Sequence, residues 1–216
     1  MKIIIKNARL SFADIFKAKS VRGGAPRFSA TLICLDGDDR HGGEETTVRF
    51  TNTKGKAVEQ GYVVMGQICD HVAKEKWGSV PAKLKNWAWN KADGTTTRDE
   101  YVNDDGDFWA GFDAETWFIS ASKHEERCRD GQMTVLDQNK QPIVANSGLL
   151  FSGCYVNVVL DIYAFDNDEG KGITASLEGI QLRKKGDALG ITQIDAADEF
   201  EVEESDDETN DANDLM

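Results

Sequence analysis

The sequence predicts a mainly β protein with one amphipathic helix, built as a small barrel or sandwich. Five or more short runs place apolar residues at every second position, the spacing of a strand with one buried face. One stretch instead has the 3.6-residue spacing of a helix. Strands and helices do not alternate regularly and no internal repeat is present, which disfavours parallel α/β folds and repeat architectures.

Residues 148–182 carry the clearest strand pattern. From position 154 to 165, apolar residues alternate with mixed ones, and the run 173–180 alternates in the same way. The link between them, residues 166–172, is rich in Asp, Asn and Gly, which suits a hairpin turn. A long antiparallel hairpin is therefore predicted. Its second face carries Tyr155, Tyr163 and Phe165, which form either an open stacking platform or a surface that another element covers.

Upstream of this hairpin, the remaining elements follow in order. Strands are expected at 2–12, 28–35, 46–51 and 117–123, with a linker at 14–26. The helical stripe consists of Val58, Tyr62, Met65, Cys69 and Val72 and ends before Gly78. Its two glycines, Gly61 and Gly66, each lower helix propensity by roughly 1 kcal/mol, so packing is expected to hold this helix.

Basic residues concentrate in three places. Residues 1–35 contain seven bases and one acid, a basic patch or an ordinary solvated hairpin. Residues 81–91 interleave three lysines with two tryptophans and no acid, as expected for a surface that contacts single-stranded nucleic acid through phosphates and bases. A third cluster is 183–186. The candidate binding residues are Lys6, Arg9, Lys17, Lys19, Arg22, Lys83, Lys85, Trp87, Trp89, Lys123, Tyr155, Tyr163 and Arg183.

Acidic residues also cluster. Residues 93–115 hold eight acids against Arg98 alone, which favours a solvated hairpin loop and leaves a metal site as the alternative. The net charge of −13 comes mainly from residues 195–216, which contain eleven acids and no base. That tail has too little apolar surface to fold by itself, so a disordered tail is predicted. Phe200 and the terminal Leu215 and Met216 are candidate docking residues; the alternative is an inert solubilising extension.

Other classes of protein receive little support from the sequence. No apolar run approaches the ~20 residues of a membrane span, and no signal peptide is recognisable. Four cysteines without CxxC spacing indicate free thiols in a reducing cytoplasm. No GxSxG, Walker A, HExxH or strand-linked GxGxxG motif is present, so neither enzymatic activity nor a cofactor or metal is expected.

Several motifs resemble a family of bacteriophage single-stranded DNA (ssDNA)-binding proteins. They are Arg-Leu-Ser-Phe at 9–12, Trp-Phe-Ile-Ser-Ala-Ser-Lys at 117–123, Phe-Ser-Gly-Cys-Tyr at 151–155 and the run 170–181. The chain is similar to an enterobacterial phage member and, more distantly, to the T7 type. The resemblance implies a five-stranded Greek-key OB barrel over residues 1–194, a basic and aromatic DNA groove, and an acidic tail, 195–216, that engages replication proteins. In this sequence Leu215 and Met216 replace the terminal aromatic residue of the T7-type tail.

The predicted function is therefore ssDNA binding without sequence preference, in phage DNA replication, recombination and repair in the host cytoplasm. The tail is expected to compete with DNA for the groove, where Phe200 and Leu215 would imitate stacked bases, and to recruit DNA polymerase or helicase/primase. A homodimer is one option for its assembly. Two alternatives remain: a metal-dependent nuclease that uses the acidic residues 93–115, and a protein-only adaptor that acts through the tail.

Overall fold

The computed structural model describes residues 1–21, 23–38, 42–145, 147–168 and 170–190. These ranges contain nine strands, one α-helix and short 3-10 turns. The strands are β1 (Lys2–Lys19), β2 (Arg27–Cys34), β3 (Thr47–Thr51), β4 (Ala57–Gly61), β5 (Trp89–Lys91), β6 (Trp117–His124), β7 (Val135–Leu136), β8 (Tyr155–Asn167) and β9 (Gly170–Lys184). The helix α1 is Met65–Trp77. None of the helices in this part of the chain is long and apolar enough to span a membrane.

Five strands form the centre of the fold in Greek-key order. The pairing runs from β1 to β2, β6, β9 and β8, and β8 pairs again with β1. All of these pairings are antiparallel except β6 with β9. This is the arrangement of an OB-fold, a partly open five-stranded barrel. The predicted mainly β fold with one helix is therefore confirmed.

The barrel is not fully closed, because β5 occupies part of the β6 edge. Trp117–Ile119 of β6 pair with β5, and only Ala121 and Ser122 pair with β9. Residues 85–86 also bond to the start of β9, where the backbone N–H of Lys85 donates to Lys171 O over 2.8 Å. Segment 85–91 is thus wedged between two strands that would otherwise meet.

Strand β1 is longer than predicted. The sequence indicated a linker from residue 14, but Asp14 and Lys19 still pair with Ser29 and Arg27 of β2. Two register shifts interrupt this pairing, and Phe12, which lies within the first of them, has a φ of +44°. These irregularities break the period-two pattern, which is why the expected strand ended at position 12.

The helix begins later than its apolar stripe. Val58 lies in β4, where it pairs with Phe50 of β3, and Tyr62 lies in a 3-10 turn. From Met65 onward the stripe is helical and buried, and the helix ends at Gly78 with a φ of +77°. The predicted start was wrong because the ladder between β3 and β4 fixes residues 57–61 in a strand, whatever their spacing.

The predicted β8–β9 hairpin is confirmed. Its pairing extends to Asn167 and Gly170, so the turn is shorter than the seven-residue link expected from composition. The alternating residues of β8 from Val156 to Ile162 are completely buried. They meet α1, β1 and β2 in the main core, which also contains three of the four free cysteines, Cys34, Cys69 and Cys154.

A second, smaller core holds the acidic residues 93–115 against the barrel. Phe112 packs with Ile33 of β2 and Phe118 of β6, and Tyr101 and Phe108 lie against this cluster. Val102 and Phe108 form a bridge, so the acidic part between them is a hairpin loop. Aromatic residues spaced among the acids therefore anchor a stretch whose charges alone suggested only a solvated loop.

Candidate nucleic-acid interface

The outer face of β2 and β6 presents small hydroxyl side chains. Alternate residues of both strands, such as Ala30 and Ala121, enter the main core. The positions between them therefore lie on the opposite face of the sheet. Ser29 pairs with Ser122, and Thr31 pairs with Ser120. We call these four residues the hydroxyl floor. Ser29, Ser120 and Ser122 are half-buried, and Thr31 is buried. The three half-buried serines are the accessible part of the floor.

Arg98 lies on the hydroxyl floor. Its Nη1 donates a hydrogen bond to Ser120 Oγ over 3.1 Å. Desolvation of the half-buried guanidinium lowers the pKa of Arg98, so its charge is held at a cost in free energy. Among the described residues, no carboxylate forms an ion pair with it. A guanidinium has five N–H donors, so Arg98 retains donors for an anion such as phosphate.

The Arg98 loop is fixed to the basic and aromatic segment 81–91. The backbone N–H of Trp87 donates to Thr97 Oγ1 over 2.9 Å, and the hydroxyls of Thr96 and Thr97 both donate to Asn90 Oδ1 over 3.0 Å. Beside the half-buried Trp87 ring is a cleft of about 290 Å³, lined by Val80, Pro81, Ala82, Leu84, Trp87, Thr96 and Thr97. We call this space the Trp87 cleft. Its apolar wall suits the flat face of a base.

Two lysines predicted as contacts lie in the same segment as the cleft residues Leu84 and Trp87. Lys83 and Lys85 are exposed, and the bond between the Lys85 N–H and Lys171 O places the tip of the β8–β9 hairpin next to them. Lys171 Nζ lies 5.5 Å from the centre of the Trp77 ring. The structure therefore places Lys83, Lys85 and Trp87 close to the loop that carries Arg98, which in turn lies on the hydroxyl floor.

Trp89 does not belong to that surface. Its side chain is only 7% exposed, and it stacks on Trp117 with ring centres 4.3 Å apart. The reason is the pairing of Trp89 with Ile119 of β6, which turns the indole toward the core, where it also meets Tyr62. The interleaved Lys/Trp pattern predicted two exposed rings, and the structure offers only Trp87.

Four of the predicted basic contacts form ion pairs. These pairs are Lys6 with Glu59, Lys19 with Asp14, Lys123 with Glu178 and Arg183 with Glu44. The hydrogen bond from Lys6 is the main cause that holds the pKa of Glu59 below its usual value. The Lys6–Glu59 pair is exposed, and pairs of this kind contribute only about 0–1 kcal/mol, so exchanging its carboxylate for a phosphate would cost little. The Lys123–Glu178 pair is more buried, so Lys123 is less available to a phosphate.

The remaining predicted contacts are dispersed. Arg9 donates to the backbone oxygens of Gly153 and Asp187, a structural use of its guanidinium. Tyr155 packs against the second core and lies under Lys184, whose Nζ is 4.4 Å from the ring centre. Tyr163 is 40% exposed on β8, and Lys17 is exposed on β1. Arg22 and the tail residues Phe200, Leu215 and Met216 lie outside the described residues.

Arg98, Lys171 and the hydroxyl floor were not predicted as contacts from the sequence. Arg98 carried one usable signal, since it is the only base in a stretch with eight acids. The hydroxyl residues carried none, because serine and threonine are common in strands and loops of every function. Their significance comes from the pairing of β2 with β6, which collects them on one face.

The described part of the chain contains no group of three or more His, Cys, Asp or Glu residues that could hold a metal ion. In the acidic stretch, Asp93 is engaged locally: hydrogen bonds from Thr95 are the main cause that lowers the pKa of Asp93 to about 2, and Lys91 Nζ lies 3.0 Å from its carboxylate. The nuclease alternative gains no support from this region.

The strand order, in which β1, β2, β6, β9 and β8 follow one another, places the protein in the class of OB-fold proteins. A family model described as "Enterobacter phage Enc34, ssDNA-binding protein" matches residues 1–212. The chain therefore belongs to the family of the Enc34 phage ssDNA-binding protein, as the sequence motifs indicated.

Individual proteins are similar to this chain over most of its length. "Putative protein p50" of Acyrthosiphon pisum secondary endosymbiont phage 1 is 29% identical over 209 residues, which cover 94% of this chain and 96% of that protein. The structure titled "Single-stranded DNA-binding protein from bacteriophage Enc34 in complex with ssDNA" has a TM-score of 0.58 at 21% identity, over 88% of this chain and 89% of that one. The T7 protein gp2.5 has a TM-score of 0.46 at 14% identity, over 93% of this chain and 95% of that one.

Proposed function

We propose that this protein binds ssDNA without sequence preference, along a path from Lys83 and Lys85 through the Trp87 cleft to the hydroxyl floor. The observation that carries the proposal is Arg98, a half-buried cation on that floor with a serine hydroxyl as its hydrogen-bond partner. A phosphate there would complete its hydrogen bonds, and a base would stack beside Trp87. The solved Enc34 relative, whose title describes a complex with ssDNA, is consistent with this use of the fold.

Within the phage cycle, the protein would coat ssDNA during DNA replication, recombination and repair. Lack of sequence preference follows from the proposed contacts, because backbone phosphates are the same at every position and every base has a flat face. Residues 1–194 would be the binding domain and 195–216 a separate acidic tail. The chemistry requires no cofactor.

The proposal is tested by titrating the protein against labelled oligo-dT and against duplex DNA of equal length, with and without Mg²⁺. Oligo-dT is expected to bind more tightly, to remain intact, and to bind independently of Mg²⁺ apart from ionic strength. The logarithm of the binding constant should fall with the logarithm of salt concentration by about 0.7 per phosphate contacted. Binding that does not depend on salt would reject a phosphate-based interface, and Mg²⁺-dependent cleavage would favour the nuclease alternative.

The acidic tail is proposed to compete with DNA for the interface. Eleven carboxylates without a base form a tethered polyanion, and tethering can raise its effective concentration at the interface to about the millimolar range. When DNA displaces the tail, Leu215 and Met216 would become available to a polymerase or a helicase/primase. In the adaptor alternative, the tail would bind the same partner proteins, but the protein would not bind DNA.

Removing residues 195–216 is expected to raise affinity for oligo-dT most at low salt. Salt screens Coulomb attraction, so the gain should shrink as ionic strength rises. Fluorescence anisotropy titrations of full-length and truncated protein over a salt series measure both effects. Equal affinity of the two proteins at every salt concentration would favour the inert, solubilising tail.

A further inference from the structure

The C-terminal half of β1 has a backbone edge without a neighbouring strand in the described part of the chain. On one side, β1 pairs with β2 as far as Lys19. On the other side, it pairs with β8 only as far as Arg9, and Leu10 makes the last backbone bonds, to Gly153 and Cys154. Unpaired strand edges of this kind present N–H and C=O groups that can accept an added strand.

An apolar groove lies beside this edge. It has a volume of about 600 Å³ and runs between Ile15 and Phe16 of β1 and the segment 129–145. Its apolar lining from that segment includes Met133, Val135, Leu136, Ile143 and Val144. Phe16 is 36% exposed and Val144 is 69% exposed. A free edge next to an apolar groove is the combination that recognition by strand addition uses, since backbone bonds hold the strand and alternate side chains fill the groove.

The chain leaves the barrel close to this edge. The N–H of Leu189 donates to Ser152 O over 2.9 Å, and the N–H of the next residue, Gly153, donates to Leu10 O over 2.8 Å. Leu10 precedes Ile15 by five positions, or about 17 Å along a strand. Ten positions separate Gly190 from Phe200 and can span about 33 Å when extended. Phe200 is therefore within reach of the groove.

The sequence at 199–203 has the pattern of an edge strand. It reads Glu-Phe-Glu-Val-Glu, so Phe200 and Val202 fall on one face of an extended segment and the three acids on the other. The groove rim offers partners for those acids. Lys17 is exposed beside Phe16, Lys19 follows on β1, and Arg129 is exposed on the opposite rim. Two acids lie among these three bases: Asp14 forms an ion pair with Lys19, and Asp130 forms one with Arg129.

We propose that residues 199–203 dock within the same chain as an added strand on β1, with Phe200 and Val202 in the groove beside Ile15 and Phe16. Docking would hold the rest of the tail near Lys17 and Lys19. The proposal does not depend on ssDNA binding and is tested without DNA. A strand from a second copy is the competing occupant.

The test is hydrogen–deuterium exchange of the amides at 13–18 in full-length protein. The double variant Phe200→Ser/Val202→Ser keeps every tail charge and is expected to speed their exchange at least tenfold. The matched control is Leu215→Ser/Met216→Ser, which should leave exchange unchanged. Equal exchange in the wild type and both variants would overturn the proposal, as would acceleration by the control variant alone.

A change on the groove side provides an independent check that leaves the tail intact. Val144→Asp places a carboxylate in the groove and should speed exchange at 13–18 to a similar degree. Val63→Asp is its control, because Val63 is also 69% exposed but lies in the turn before α1. Protection in the wild type should be independent of protein concentration. Protection that grows with concentration would overturn docking within one chain in favour of a second copy.

Discussion

Replacing Arg98 by glutamine is expected to lower the affinity for oligo-dT by about 30-fold, which corresponds to roughly 2 kcal/mol. The guanidinium already rests on the hydroxyl floor, bonded to Ser120, so a bound phosphate gains charge-assisted hydrogen bonds without reordering the side chain. Glutamine retains one amide donor group but removes the charge. The slope of log affinity against log salt should therefore also decrease by about 0.7.

The control for this substitution is Arg49→Gln. Arg49 is exposed on β3. In the sheet register it lies opposite Glu59 of β4 and Ile4 of β1, away from the face of β2 and β6. The Arg49→Gln substitution removes the same charge from the protein, so any loss of oligo-dT affinity caused by net charge alone appears in both variants. Equal losses would show that Arg98 contributes only to the overall charge. The free energy of unfolding of Arg98→Gln should not fall, because the charge it removes is held in a partly desolvated position.

Replacing Gly153 by alanine is expected to lower the free energy of unfolding by on the order of 3 kcal/mol. Gly153 has a φ of +117°, and an added Cβ would lie 2.0 Å from the carbonyl oxygen of Asp187. That oxygen and the Gly153 carbonyl both accept hydrogen bonds from Arg9. Relieving the overlap would therefore shift the segment after β9 away from the start of β8 and from β1.

Gly148→Ala is the matched comparison for this prediction. Gly148 also has a positive φ, +65°, but an added Cβ there meets nothing within 4 Å. Its cost should be limited to backbone strain, about 1 kcal/mol. Urea unfolding of both variants separates the steric contribution of the close approach from the conformational one. Similar midpoints for the two would mean that the contact between Gly153 and Asp187 relaxes without loss.

The sequence by itself determined the β8–β9 hairpin and which of its faces is buried. Period-two alternation is a local property, and the two runs pair across a short turn, so no distant residue had to be known. The motifs shared with phage ssDNA-binding proteins extended this to the family and the Greek-key order. Composition alone also separated the acidic residues 195–216 from a nearly neutral body.

Tertiary structure decided where the helix starts, how far β1 extends and which aromatic rings are buried. Val58 has helical spacing but is a strand residue because β3 lies beside it, and Trp89 is a core residue because β6 pairs with β5. Arg98 belongs to the candidate interface only because its loop folds back onto Ser120, 22 positions away. Each of these outcomes depends on a partner distant in sequence, and a local pattern cannot specify such a partner, because the free energy that fixes it comes from packing and pairing in the folded chain.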